Sequence, residues 1–439
     1  MGRVKSYEEV VSAIDRVRDR PAKAESFARF QRALSTYVGK TGLERPADGR
    51  GVILVAGTNG KGSVAKTLET LLLAKGEGVG LFTSPHLMET TERIRSFGRD
   101  LTKEELVATY LLIEPFAKDL DLSHFEMLTL MMFEVFFGGR IRERVSRAVV
   151  EVGVGGRLDP TRCVPHEACA ITSIALDHQE ILGATIAEIA REKFAIVDSG
   201  NLVVHAPLPE EAKAACEARK RETPSQWFEA RAIPFRVKPG PTPKWAIETK
   251  WGEFDLALMG ARAVENTSVA LELLAQQGED VAALLPHLKK VRWPCRMEIF
   301  RVGEKRLAFS GDHNVQGAQT LEEILEHFHY DRLQLVVGVG KNKPAGELLE
   351  IFSRLPRSRL WLTLTPFRSG ELAQYGEWTT SAEGAIPDPV TAVRSALAAA
   401  APNDLVLVTG SLYLVGEMRR QLTLGAFGRF RAEENSDLP

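Results

Sequence analysis

Cysteine is scarce in this chain. Cys163, Cys169, Cys216 and Cys295 are the only four in 439 residues, and no two form a CxxC pair. Such usage supports neither a disulfide framework nor a zinc cluster and reads as reduced thiols. An excess of one charge is also missing: 56 Lys and Arg against 58 Asp and Glu leave a net charge of −2. Near neutrality removes the electrostatic basis for binding nucleic acid or a membrane surface. No apolar run is long enough to span a bilayer, and the charged, helix-patterned start MGRVKSYEEVVSAIDRV lacks the apolar core of a signal peptide. A cytoplasmic protein without nucleic-acid or membrane partners is expected. There is no internal repeat and no low-complexity tract.

What is present is ordinary globular composition, 44% hydrophobic and 26% charged, in a chain too long for one core. Short apolar runs alternate with helical patterns. Strands are expected at 51–56, 79–83, 147–152 and 168–174, and helices near 64–75, 101–118, 126–137 and 186–194. This alternation predicts an α/β fold, a doubly wound parallel sheet. Residues 199–259 are less regular and read as a small antiparallel strand set. After the Pro-containing break at 292–297 the alternation resumes, with strands at 307–310, 333–337, 360–364 and 404–408. The expected division is an ATP-binding domain over 1–295, a smaller Rossmann-like α/β domain over 296–428, and a polar, frayed tail over 429–439.

The sharpest segment is Gly57-Thr-Asn-Gly-Lys-Gly-Ser63, which follows a strand and opens a helix. In that setting, Gly57, Thr58, Asn59, Gly60 and Gly62 turn backbone N–H groups toward an anion at a helix N-terminus. Lys61 reaches outer phosphates, and Ser63 offers a hydroxyl to Mg²⁺. Glu151 ends an apolar strand before Val-Gly-Val-Gly-Gly-Arg-Leu-Asp159, where a carboxylate can hold Mg²⁺ and Arg157 can bind substrate or phosphate. Ser84, in Thr83-Ser-Pro-His-Leu87, offers a further hydroxyl, although such a turn by itself is only a turn. His178 and Lys193, each taken alone, read as structural.

The motifs in their order change that reading. GTNGKGS, TSPHL with ERIR, EVGVGGRLDPT, DHQEILGATIAEIAREK and GSLYLVGE resemble the folylpolyglutamate synthase/dihydrofolate synthase family of the Mur ligase superfamily, over about residues 25–420. The resemblance implies a monomeric ligase that uses ATP to join L-glutamate to a pterin or folate carboxylate through an acyl phosphate. A Mur- or cyanophycin-type ligase with another carboxylate, or a non-catalytic ATP-binding relative, is the alternative. It implies two Mg²⁺ sites, one held by Ser63, Ser84 and Glu151, the other by Glu151, His178 and a carbamylated Lys193. Lys61, His178, Lys193 and Arg157 are then the catalytic set. Asn266, Arg296, Asp312 and His313 join the loop as nucleotide contacts.

The chain departs from the family pattern at several points. The family's DGAHN reads Ser310-Gly-Asp-His-Asn314, the glycine of P-G-R is Cys295, His-Gln is Arg262-Ala263, Ala-Gly is Phe194-Ala195, and Thr90 replaces an aromatic. Asp312 either takes over the ribose contact of the acid missing at Ser310 or caps the helix that follows.

Overall fold

The computed structural model describes residues 5–17, 24–43, 49–341, 343, 345–367 and 370–433. By contacts the chain forms two compact units, Met1–Ala232 with Glu265–His287, and Ile233–Val264 with Leu288–Pro439. Residues 233–264 and 288–295 thus pack with the later residues rather than with the rest of 1–295.

The first unit is built on an eight-stranded sheet. Val52–Ala56 lies between Arg147–Glu151 and Ala168–Ile171, parallel to both. Val79–Phe82 flanks Arg147–Glu151, while Leu202–His205 and Gln226–Glu229 extend the other side, all parallel. The inner strands VILVA and ACAI are buried along their whole length, as a sheet covered on both faces requires. At the far edge Ile94–Ser96 and Arg99–Asp100 run antiparallel. Helix starts are written locally: Ser6 with Glu9, Thr102 with Glu105, Ser123 with Glu126 and Thr185 with Glu188 each close a capping box.

The irregular region divides in two. Phe235–Lys238, Lys244–Thr249 and Gly252–Leu256 form the expected antiparallel set. Leu202–His205, the helix Glu210–Glu222 and Gln226–Glu229 instead continue the parallel sheet. The last strand, Gln-Trp-Phe-Glu, is short and partly exposed because it is an edge, so the continuous apolar run of a buried strand is absent.

The second unit carries a seven-stranded sheet. Gly384–Ala385, Ser358–Leu362, Leu333–Val337, Leu405–Thr409 and Lys305–Ser310 are parallel neighbours in that order. Arg296–Val302 adds antiparallel to Lys305–Ser310 and takes Phe430–Ala432 on its outer side. The expected tail from 429 therefore begins as a strand. Backbone pairing, the Phe430 ring 6.0 Å from Phe300, and Arg301 Nε donating to Glu433 at 3.0 Å hold it there. Residues 434–439 of that expected tail lie outside the described ones. Among the described residues no helix is long and apolar enough to cross a membrane.

Candidate active site

In the first unit, the carboxyl ends of neighbouring parallel strands bring the sequence-predicted residues together, as expected at the crevice of a doubly wound sheet. Val52–Ala56 runs into the glycine loop, and the helix Lys61–Ala74 starts directly after Gly60, whose φ of 90° serves as the cap. The loop is tied down from one side. Thr58 N donates to Ser173 O at 2.7 Å, and the Thr58 hydroxyl donates to Ala175 O at 3.0 Å. A Cβ at Gly57 would stand 1.8 Å from the Thr172 hydroxyl, so that position admits only glycine. At Gly60 a Cβ would meet the Asn266 amide at 2.2 Å. Asn266, on the helix Ala261–Gln276 and 8% exposed, thus lies against the glycine loop.

Two cations converge on the loop's first carbonyl. Lys61 Nζ donates to Gly57 O and Thr58 O, each at 3.2 Å, and Lys193 Nζ donates to Gly57 O at 2.7 Å. Lys193 is 5% exposed. Burial, reinforced by the Lys61 charge, brings its amine down to about 7. Glu151, 4% exposed, ends its strand with Oε2 accepting the Ser84 N–H at 3.1 Å, which places the two expected metal ligands side by side. Ser63 lies in the first turn of the loop helix and is 7% exposed. His178 has φ 50°, a left-handed backbone held by a non-glycine residue immediately before Gln179–Leu182. Arg157 Nε donates to Glu192 at 2.8 Å and the side chain is half-exposed.

Among the described residues no three His, Cys, Asp or Glu side chains gather as a metal cluster. Of the expected metal ligands only Glu151 and His178 are of those types. The remainder are hydroxyls and Lys193, which becomes an oxygen ligand only once it is carbamylated. The donor set is oxygen-rich and fits a hard cation on those terms.

Sequence reasoning missed three participants. Asp159 is buried and accepts from Val154 N and Thr161 N, both at 3.0 Å, pinning the glycine loop after Glu151; burial raises its carboxyl. Its position inside the EVGVGGRLD motif was the available signal. The Thr172 hydroxyl, fully buried under Gly57, has no hydrogen-bond partner among the described residues. Arg93 Nε donates to His86 Nδ1 at 2.8 Å, and burial beside that guanidinium lowers His86 to about 3, so the ring is neutral with its proton on Nε2. Thr172 carries no local pattern that gives it away, whereas His86 and Arg93 lie inside the TSPHL and ERIR motifs.

In the second unit Arg296, Asp312 and His313 cluster. Arg296 Nη1 is 3.7 Å from Asp312 Oδ1, the Ser310 hydroxyl donates to Asp312 Oδ2, and His313 Nδ1 is 3.0 Å from Gly311 O. Asn314, not Asp312, caps Val315–Leu325, its side chain accepting from Gly317 N at 2.8 Å.

A parallel sheet running into a glycine-rich loop in one unit and a second α/β unit define a Mur-ligase-type architecture, and residues 295–412 match the family described as Mur ligase, glutamate ligase domain. A dihydrofolate synthase/folylpolyglutamate synthase of Bacillus subtilis is 30% identical over 391 residues, covering 84% of this chain and 89% of that protein. The chain belongs to the dihydrofolate synthase/folylpolyglutamate synthase family. A probable bifunctional folylpolyglutamate synthase/dihydropteroate synthase of Halobacterium salinarum is 31% identical, covering 90% of this chain; the chain spans about half that relative's length, 51%. Folylpolyglutamate synthase of Mycobacterium tuberculosis complexed with ADP superposes with a TM-score of 0.82 at 27% identity, over 97% of this chain and 99% of that one.

Proposed function

We propose that this chain is an ATP-dependent acid–amino-acid ligase that joins L-glutamate to a folate-type carboxylate, dihydropteroate or a folyl-glutamate, and acts as a cytoplasmic monomer. The observation that carries this reading is the convergence of the Gly57–Ser63 loop, Lys61, Glu151 and Lys193 at the carboxyl ends of neighbouring central strands. In the proposed functional division, 1–295 binds and activates ATP and 296–428 is the ligase domain.

The reaction needs a carboxylate oxygen to attack the γ-phosphorus of ATP, releasing ADP and forming an acyl phosphate. The glutamate amine then attacks the acyl carbon, and phosphate leaves. Positioning and charge stabilisation carry the first step. Lys61 exchanges its two loop carbonyls for the outer phosphates, and the N–H groups opening Lys61–Ala74 face the same anion. Asn266 fixes the loop at Gly60. Arg157, half-exposed and paired with Glu192, binds substrate or phosphate. Arg296, Asp312 and His313 contact the nucleotide.

Ser63, Ser84 and Glu151 would hold one Mg²⁺ and Glu151, His178 and carbamylated Lys193 a second, supplying positive charge beside the phosphates when bound. Carbamylation adds CO₂ to the neutral amine of Lys193 and releases a proton, turning a cation into an anion. An amine brought down to about 7 has the required neutral form available at physiological pH.

The test is ADP and phosphate release by the full chain with ATP and Mg²⁺, in the presence and absence of glutamate with dihydropteroate or tetrahydrofolate. Release that depends on both the pterin carboxylate and glutamate supports the reading. Release indifferent to both, or dependent on another carboxylate, overturns it.

A further inference from the structure

A buried ion pair in the second unit sits behind the turn that carries Arg296. Glu298 and Arg419 are 1% and 3% exposed. Arg419 Nε donates to Glu298 Oε2 at 2.8 Å and Nη2 to Oε1 at 3.0 Å. The same Oε2 accepts the backbone N–H of Cys295 at 3.1 Å.

The backbone they touch is unusual. Cys295 and Met297, the residues on either side of Arg296, have φ values of 57° and 52°, left-handed conformations in side chains that disfavour them. The pairing with Lys305–Ser310 slips between Arg296 and Glu298, a bulge of the kind that re-aims a side chain. Such geometry persists only where its surroundings over-determine it. One strap is Gly311 N donating to Cys295 O at 2.8 Å. The other is the charge-assisted bond from Cys295 N–H to a carboxylate whose charge is held by a bidentate guanidinium. The result is Arg296 opposite Ser310 in register, with Nη1 3.7 Å from Asp312. A buried ion pair adds little stability over an apolar pair of equal volume, so a positional role is the better account of this one.

We propose that Glu298 and Arg419 are positioning residues: they hold the Cys295–Met297 turn so that Arg296 is presented beside Asp312 for the nucleotide. This rests on the reading of Arg296 as a nucleotide contact.

Steady-state kinetics of the full chain test it. Glu298→Gln keeps the shape and removes the charge; it should raise the KM for ATP by about fivefold or more with kcat within about twofold. Arg296→Ala should raise the KM at least as much. The double variant should be no worse than Arg296→Ala, because both changes act through one guanidinium. Multiplying KM increases overturn the proposal, as does a folded Glu298→Gln with unchanged KM beside an impaired Arg296→Ala. Should Glu298→Gln fail to fold, Arg419→Lys, which keeps the charge and loses the fork, carries the same comparison. An unchanged KM in Arg296→Ala overturns the nucleotide-contact reading itself.

Discussion

Lys61 and Lys193 place their ammonium nitrogens on one oxygen: Gly57 O accepts from Lys193 at 2.7 Å and from Lys61 at 3.2 Å. Two like charges on one carbonyl, one of them buried, cannot both be comfortable. Burial and this repulsion together bring the Lys193 amine down to about 7. The loop is thus arranged so that the Lys193 amine beside Lys61 is readily neutral.

Lys61→Ala should leave the fold intact, since its two bonds are to loop carbonyls that water can satisfy. ATP turnover should fall by roughly 10²-fold or more, the scale of losing one preorganised charge-stabilising group. Near-normal ADP release from a variant with an unchanged melting temperature would show that the loop does not hold the phosphates.

Lys193→Ala should be inactive and partly rescued by a short carboxylate such as acetate, which restores the anion that the carbamate supplies. Carbon-13 NMR of the wild type in labelled bicarbonate should show a carbamate signal that the variant lacks. An identical signal in both proteins, or none in either with Mg²⁺ and nucleotide present, would remove the carbamate from the site.

Glu151→Gln should cost more activity than Ser84→Ala. The carboxylate supplies charge to both proposed metal positions, whereas the serine supplies a neutral hydroxyl. The Glu151 contact to Ser84 is through the backbone N–H, which Ser84→Ala retains. Equal losses, or a larger loss at Ser84, would rule out the shared-ligand role.

Asp312→Asn should raise the KM for ATP several-fold with little change in melting temperature. Asn314 already caps the helix Val315–Leu325, so no cap is lost. The carboxylate beside Arg296 is lost instead. A fall in melting temperature with unchanged KM would return Asp312 to a purely structural part.

Glu105 gives a pH-dependent test of the fold. Hydrogen bonding to Arg142 is the main reason its carboxyl is held down to about 2 from an ordinary 4.5. The folded value lies below the unfolded one, so the contribution is present above about 4.5 and lost as pH falls toward 2. Gln still closes the capping box with Thr102, so Glu105→Gln isolates the charge. It should destabilise by ~2 kcal/mol at pH 7, the scale of a charge-assisted hydrogen bond. In urea melts the gap should narrow near pH 2.5. A gap equal at both pH values would show that the pair is not the cause.

Much of the fold was legible because its signals are local. The buried strands 52–56, 147–151 and 168–171 read as short apolar runs, and Thr185 with Glu188 marks the start of the helix Ile186–Phe194 that carries Lys193 in its last turn. Strands set by their partners were not legible. Gln226–Glu229 and Phe430–Ala432 are short, largely exposed segments with charged residues, and pairing with an adjacent strand fixes them as β. Arg296–Val302 begins behind the Pro-Cys break with two left-handed residues, a pattern that reads as a linker until its pairing is seen.

The sequence by itself determined that residues 57–63 form a glycine-rich turn between a buried strand and a helix start, the setting proposed for an anion. A buried strand, three glycines and a helix start within a dozen residues leave the backbone N–H groups little else to do. It also determined that Glu151 stands at a strand end. Tertiary structure decided the rest of the site: the neutral-prone amine of Lys193, Asn266 against Gly60, Asp159 beneath the second glycine loop, and Glu298 with Arg419 behind Arg296. Each depends on desolvation or on a contact between segments remote in the chain. Local backbone preferences reach only a few residues, whereas burial and charge separation exist only after distant segments pack.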